Sequence, residues 1–204
     1  MKFAVLSGLM CVLSASAFAA EPFHCDGNGC GEYVETVPEF TLKDAAGTGH
    51  ISSSLYKDNG MLLMITVPNL TQYERQKRWE KLLKNESWPE LHAPRCVVLE
   101  DLSQQDSYKD KARHLMQEKS REESRETFLI DETGNVRRQF GVQQNETVIL
   151  IVDAHGNVVH HEFDDIETET EAARRITRIV HQLSHAMSAT VAAAIKSTTD
   201  SRGK

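Results

Sequence analysis

Seven consecutive residues, Met61-Leu62-Leu63-Met64-Ile65-Thr66-Val67, are apolar but for one threonine. A run of that kind, without polar alternation, reads as a strand covered on both faces, so the chain must supply a layer on either side of it. The run breaks at Pro68-Asn69. From Thr71 to Asn85, Tyr73, Gln76, Trp79, Leu82 and Leu83 recur near one face, while Arg75, Lys77, Arg78, Lys81 and Lys84 fall mostly on the other. That is an amphipathic surface helix. A buried strand passing through a Pro-marked turn into a helix N-terminus is where many α/β proteins hold a nucleophile, because the free N–H groups and the helix dipole stabilise an anion there. Here the turn reads Pro68-Asn69-Leu70-Thr71, and no Cys, Ser or His follows before Ser87.

The remaining periodicities build a sheet around that strand. Val37-Pro38-Glu39-Phe40-Thr41-Leu42-Lys43-Asp44 alternates apolar and polar as an edge strand does, with Pro38 near its start. Ala45 to Gly49 is a turn, and His50 to Leu55 leads on towards Gly60. Pro89 and Pro94 bracket a loop before Cys96-Val97-Val98-Leu99, a second core strand ending at Glu100-Asp101. Asp106 to Arg125 carries Tyr108, Ala112, Leu115 and Met116 at helical spacing, and its charge run reads as a solvated face.

An internal echo follows. Phe128-Leu129-Ile130-Asp131 and Leu150-Ile151-Val152-Asp153 are apolar strands, each ending in an Asp-x-x-Gly turn, and Val158 to Phe163 resumes a β pattern as the second arm of a hairpin. Thr168 to Ser184 is a helix, with Glu167, Glu169 and Glu171 at its start and Ile176, Ile179, Val180 and Leu183 on its buried face. His185 to Ile195 extends it weakly, and Lys196 to Lys204 reads as a disordered tail. The order β-β-α-β-α-β-β-β-α predicts an α/β sandwich with a mixed sheet.

Lys2, the apolar stretch Phe3 to Leu13 and the small-x-small site Ala17-Phe18-Ala19 make residues 1–19 an export signal, too short in its apolar part for a spanning helix. About 185 residues then remain, the size of one domain: a leader at 20–36, a folded unit at 37–184 and the extension at 185–204. The formal charge of −7 becomes one unit more negative once Lys2 is removed. An acidic exported domain has no electrostatic footprint for nucleic acid or for an anionic membrane surface. The expected location is the periplasm.

Export places the surviving cysteines, Cys25, Cys30 and Cys96, where disulfides persist. Cys25 and Cys30 enclose the flexible Asp26-Gly27-Asn28-Gly29 and are expected to form a structural disulfide. Cys96, within an apolar strand, reads as a buried free thiol acting as a small hydrophobe.

With these segments in order, the chain resembles the thioredoxin-like superfamily, in particular its redoxin branch of peroxiredoxins and exported TlpA-type thiol oxidoreductases. Three segments carry the likeness: Pro38-x-Phe40-x-Leu42-x-Asp44-x-x-Gly47; the strand and helix around Pro68; and Phe128-x-x-Asp131-x-x-Gly134 with Phe140-Gly141-Val142 and Thr147 to Val158. The latter half is also loosely similar to YtfJ-type periplasmic proteins. The resemblance covers roughly Val37 to Leu183 and implies a thioredoxin-like α/β/α sandwich with a central mixed sheet.

The departures bear on function. A redoxin peroxidase reads Pro-x-Cys-Thr at the turn, and here Pro68-Asn69-Leu70-Thr71 puts Leu70 in place of the attacking sulfur. A TlpA-type enzyme needs Cys-x-x-Cys, and the alignment puts Leu70 and Tyr73 there. Neither side chain exchanges disulfides, a reaction that needs a thiolate. The family's cis-proline position, in Gly-Val-x-x-x-Pro-Thr, falls on Glu146 of Gly141-Val142-Gln143-Gln144-Asn145-Glu146-Thr147. A non-proline cis bond costs about 3 kcal/mol, so a trans peptide and an altered loop are expected. No arginine is assignable to the peroxide-polarising role.

The degenerate site is therefore Pro68, Leu70, Thr71, Tyr73, Glu146 and Thr147, with no catalytic residue among them. The expected function is that of an exported, redox-inactive thioredoxin-like module that binds a periplasmic protein or peptide through the groove between the Pro68 turn and the Gln143 to Glu146 loop. The alternative is a thiol-disulfide oxidoreductase using Cys25 and Cys30, with His24 beside Cys25 to lower its pKa. That pair lacks the helix N-terminus which stabilises a thiolate in Cys-x-x-Cys.

Metal binding is a weaker alternative. His24, Cys25 and Cys30 could supply three ligands, but a disulfide consumes the thiols. His155, His160, His161, Asp164 and Asp165 cluster near the last hairpin, yet adjacent strand residues such as His160 and His161 point to opposite faces. Asp26-Gly27-Asn28-Gly29 resembles part of a calcium loop without its later Glu. No phosphate-binding glycine loop or Gly-x-Ser-x-Gly elbow is present, and no cofactor is expected. Oligomeric state is left open.

Overall fold

The computed structural model describes residues 34–67, 70–86, 88, 89, 92–104, 107, 109–122, 126–144, 146–163 and 169–202, with the side chains of 70–73, 85, 122, 163, 169 and 194–202 excepted. Its elements run β1 (Thr41–Asp44), β2 (Gly49–Ile51), α1 (Ser52–Tyr56), β3 (Met61–Thr66), α2 (Leu70–Asn85), β4 (Arg95–Asp101), α3 (Lys109–Glu122), β5 (Glu126–Asp131), α4 (Asn135–Gln139), β6 (Val148–Val152), β7 (Val158–Phe163) and α5 (Glu169–Arg202). Seven strands form one mixed sheet in the order β2-β1-β5-β4-β3-β6-β7. The central strands β3, β4 and β5 are parallel, β6 runs antiparallel to β3, and β1 runs antiparallel to β5.

The apolar run behaves as its composition requires. Every residue of β3 is buried, between β4 on one side and β6 on the other. Its alternate side chains serve different cores. Met61, Leu63 and Ile65 pack with Leu55 of α1 and with Val136 and Phe140 around α4. Leu62 and Met64 pack with Trp79 and Leu83 of α2 and with Ala172, Ile176 and Val180 of α5. A third cluster seats Ala112 and Met116 of α3 on Val98, Phe128 and Ile130. The layers are thus α1 and α4, the sheet, and α2, α3 and α5, which is the expected α/β/α sandwich.

Several local expectations change. The strand from Val37 is not at an edge. The chain turns at Ala45 to Thr48 and comes back as β2, so β1 is covered on both sides and β2 becomes the border. Asp44 holds that turn, accepting from Ala46 N and Thr48 N through Oδ1 and lying 2.9 Å from His50 Nε2 through Oδ2. Of the apolar residues on α3, Leu115 is exposed while Ala112 and Met116 are buried; Tyr108 lies outside the described residues. α5 continues to Arg202, through the stretch read as a disordered tail. Among the described residues no helix is long and apolar enough to cross a membrane.

The two Asp-x-x-Gly echoes have one physical basis and two outcomes. Asp131 accepts from Thr133 N through Oδ1 and from Val136 N and Arg137 N through Oδ2, so its carboxylate caps α4. Asp153 accepts from His155 N and Asn157 N through Oδ1 and closes the β6–β7 hairpin. In each turn the glycine takes positive φ, 68° at Gly134 and 87° at Gly156, which a side chain disfavours.

Candidate functional site

β6 begins at Val148, opposite Ile65, so the loop that enters it arrives at the C-terminal end of β3, where α2 departs. Two buried hydroxyls mark the meeting point. Thr66 Oγ1 lies 3.4 Å from Thr147 Oγ1, across 81 residues of sequence, and each residue is 1% exposed. The fold thereby brings the α2 N-terminus, with Leu70, Thr71 and Tyr73 on its first turn, to the same end of the sheet as Glu146 and Thr147. Pro68 lies outside the described residues, as do the side chains of Leu70, Thr71 and Tyr73.

The loop itself is closed by Glu146. Its N–H donates to Gln143 O at 3.2 Å, and its Oε2 accepts from Gln143 N at 2.9 Å. A proline at this position would lack both the N–H and the carboxylate, so neither of these reciprocal hydrogen bonds could form. The described residues contain no cis peptide bond; the bond preceding Glu146 belongs to Asn145, which lies outside them.

Sequence reasoning missed the residue that ties this loop to the sheet. Arg137, 6% exposed, donates from Nε to Asp101 Oδ2 at 2.5 Å and from Nη1 to the Val142 carbonyl. One guanidinium thus joins the end of β4 to the loop between α4 and β6. Burial pushes the Asp101 carboxyl up, but hydrogen bonds from Ser103 and Arg137 outweigh it and hold the group below the ordinary carboxylate range. The available signal was the first Asp-x-x-Gly turn, which starts α4 and so aims Arg137 inward.

A second polar group lies on the opposite face. Glu100, 8% exposed and in register with Thr66, faces α2 and α3. It hydrogen-bonds Gln76, which donates to Glu80 Oε1 at 3.0 Å, and Lys119 Nζ donates to that same oxygen at 2.7 Å. Burial, only partly offset by Lys119 and Gln76, raises the Glu100 carboxyl to about 7.

No protein-family model matches the chain, and no curated protein matches it in sequence. Solved structures do match. A protein assigned as the thiol:disulfide interchange protein DsbE from Chlorobium tepidum superposes with a TM-score of 0.50 at 14% identity, covering 73% of this chain and 98% of its own. BsSco, a member of the Sco family of cytochrome c oxidase assembly proteins, gives 0.52 at 14% identity over 74% of this chain and 94% of its own. The C-terminal domain of a protein assigned as a thiol-disulfide oxidoreductase from Bacteroides thetaiotaomicron gives 0.52 at 16% identity over 74% and 98%. The chain has the thioredoxin-like fold. At these identities the likeness carries the architecture alone.

Within the thioredoxin-like frame, the N-terminus of α2 and the loop entering β6 lie at one end of the sheet, and Cys96, in the core strand expected for it, lies at the other. Cys96 is the one cysteine among the described residues. It pairs with Leu62 at the start of β3, four residues from the end at Thr66, or roughly 13 Å at ~3.3 Å per residue. It is half-buried rather than buried, because it sits at the second residue of β4, beside a groove of about 530 Å³ that Leu83, Trp88 and Pro94 also line. That groove lies at the far end of β3 and β4 from the turn. His24, Cys25 and Cys30 lie outside the described residues.

The histidines near the hairpin have structural partners. Val159 is an extra residue in β7, since Ile151 pairs with His160 and Val152 with Val158. Next to this bulge the rings of His160 and His161 lie 6.4 Å apart at 24°, nearer to parallel than regular alternation predicts. His160 Nε2 lies 2.9 Å from Glu162 Oε2, and Arg175 of α5 grips the same carboxylate from Nη2 at 2.7 Å and Nε at 3.2 Å. His155 is exposed at the turn, and Asp164 and Asp165 lie outside the described residues. Among the described residues no group of three or more His, Cys, Asp or Glu could hold a metal ion.

Proposed function

We propose that this chain is an exported thioredoxin-like module without redox chemistry at the family's turn, and that it binds a periplasmic protein or peptide there. The observation that carries the reading is the pairing of position with residue type. Leu70 opens α2 at the end of β3, where a thiolate would gain from the helix N-terminus, and the described thiol, Cys96, lies at the opposite end of the strand pair. Glu146 adds to this, because its carboxylate is turned back onto Gln143 N in the loop that otherwise presents backbone to a thiol substrate. Export is supported by Lys2, the apolar stretch after it and Ala17-Phe18-Ala19.

The test has two arms. Reduced protein is assayed for turnover of a small disulfide and of hydrogen peroxide, with Cys25→Ser and Cys30→Ser in parallel. No turnover above the uncatalysed rate is expected, and turnover lost in either variant would transfer the function to the leader pair. In the second arm, periplasmic cross-linking from a photoreactive residue at position 144 is expected to capture a partner that the same probe at exposed Lys111 does not. Equal capture at both positions would remove the binding site from the turn.

A further inference from the structure

We propose that residues 31–34 pair with the outer edge of β7 as an eighth strand, which sets Cys30 at the end of the sheet where α2 begins. The described chain already starts this strand. Thr36 bridges antiparallel to Asn157, with Val37 N donating to Gly156 O at 2.9 Å and Val158 N donating to Glu35 O at 2.8 Å. These two bonds flank one bridge and fix the direction of pairing, so each step back from Thr36 towards Cys30 is a step along β7 from Asn157 towards Phe163. Val34, the first described residue, packs against the same core as Val158, so the chain is still on the sheet at that point. β7 is the border strand, and among the described residues no strand pairs with its outer edge beyond Val158. Val159 is 36% exposed there.

An uncovered strand edge is a row of N–H and C=O groups ready to pair with any extended segment. Here the adjoining segment belongs to the same chain and is already held at Glu35, so extending the pairing closes no new loop. Its residue types suit a strand, since Glu32-Tyr33-Val34-Glu35-Thr36-Val37 holds an aromatic and three β-branched residues, and Gly27 and Gly29 fall beyond it. Past the extra residue Val159, the register sets Tyr33 against the His160–His161 step and Cys30 level with Phe163. Phe163 pairs with Val148, and Val148 with Ile65, so that level is the end of β3 from which α2 departs. Cys30 then stands three strand spacings from Ile65, roughly 14 Å at ~4.8 Å each. The leader cysteines thereby come to the end of the sheet that holds Thr147 and the α2 N-terminus, whereas Cys96 is at the other end. This placement is one of backbone pairing, so it holds whether Cys25 and Cys30 are bridged or reduced, and it is independent of what the turn binds.

Backbone NMR and amide hydrogen exchange on the full chain test the strand. Cross-strand NOEs are expected from the Tyr33 backbone protons to those of His160 or His161. Amides between His160 and Phe163 that point away from β6 are expected to be protected in the wild type. They are expected to exchange about tenfold faster in Tyr33→Pro, which removes a donor from the new strand, while the Val158 N–H bonded to Glu35 keeps its protection. The NOEs need no variant, so they decide the matter if Tyr33→Pro fails to fold. Absent NOEs, or protection that persists in Tyr33→Pro, would overturn the proposal. Protection that falls on dilution would also overturn it, by assigning the edge to a second copy of the chain.

Discussion

Arg137 Nε lies 2.5 Å from Asp101 Oδ2, and the two residues are 6% and 1% exposed, so the start of α4 is fastened to the end of β4 by an ion pair almost without water. The same guanidinium holds the Val142 carbonyl, two residues before Gln144 in the loop that enters β6.

Removing one partner of such a pair leaves the other charge buried and alone. Arg137→Ala is expected to destabilise the protein by about 3–5 kcal/mol, and Asp101→Leu combined with Arg137→Met to recover most of that loss. Urea unfolding of both variants checks this. A single variant costing under about 1 kcal/mol would mean the pair is solvated in solution.

Two glycines with similar backbone angles should respond differently to a methyl group. Gly47, at φ 91°, has nothing within 4 Å of an added Cβ, whereas at Gly60, with φ 79°, that atom would sit 2.4 Å from Val152 O. Gly47→Ala is expected to cost about 1–2 kcal/mol from conformation alone. Gly60→Ala adds a collision with backbone and is expected to cost about 3 kcal/mol or more. Thermal unfolding should rank them in that order.

Stability should pass through a maximum with pH. Burial raises Glu100 from 4.5 to about 7, so the folded state holds that proton more tightly than the unfolded chain. Its contribution is complete below the unfolded value and is lost as pH rises through about 7. For Asp44, Asp101 and Glu162, burial is outweighed by hydrogen bonds and nearby cations, and each is lowered. Their contribution is present above the ordinary carboxylate range and is lost as acid protonates them. His161 is lowered by burial first and by His160 second, so its term is present above 6.5 and is lost as pH falls, opposing Glu100 over part of the range. Urea midpoints from pH 3 to 9 are expected to decline on both sides, and Glu100→Gln to abolish the alkaline-side decline.

Leu70→Cys tests whether the turn keeps the environment of a reactive site. A thiol on the first turn of α2 gains from the helix N-terminus. The native variant is expected to alkylate at pH 7 at least about tenfold faster than Cys96, the rate following the thiolate fraction. A thiol at position 70 that stays unlabelled until denaturant is added would show that the site has closed over.

Legibility in the sequence followed the length over which a pattern could repeat. β3 was readable because six adjacent residues are buried together, and α2 and α5 because their apolar positions recur over several turns. α1 and α4 are five residues each and β2 is three, too short for any period to emerge, and all three escaped notice. At the site, Leu70 and Glu146 were recognisable as departures from a pattern. The contacts between distant segments were not, because nothing local announces them. Thr66 stood as the one polar residue in an apolar run until Thr147 supplied its partner, and nothing in the sequence around Arg137 points to Asp101 or to the Val142 carbonyl.

The last helix has a mechanical consequence. α5 holds 34 residues, about 51 Å at 1.5 Å per residue, whereas a six-residue strand of the sheet spans roughly 20 Å. Among its described side chains the last buried one is Ser184, and from Met187 to Ala193 the surface is half-buried or exposed, Val191 being 45% exposed. The stretch from Ser184 to Ala193 therefore carries the helix about 14 Å beyond its last buried side chain among those described. A dye, a tether or a bead joined at Ala193 is set off from that last core contact by a known helical rise, so the chain comes with its own molecular ruler.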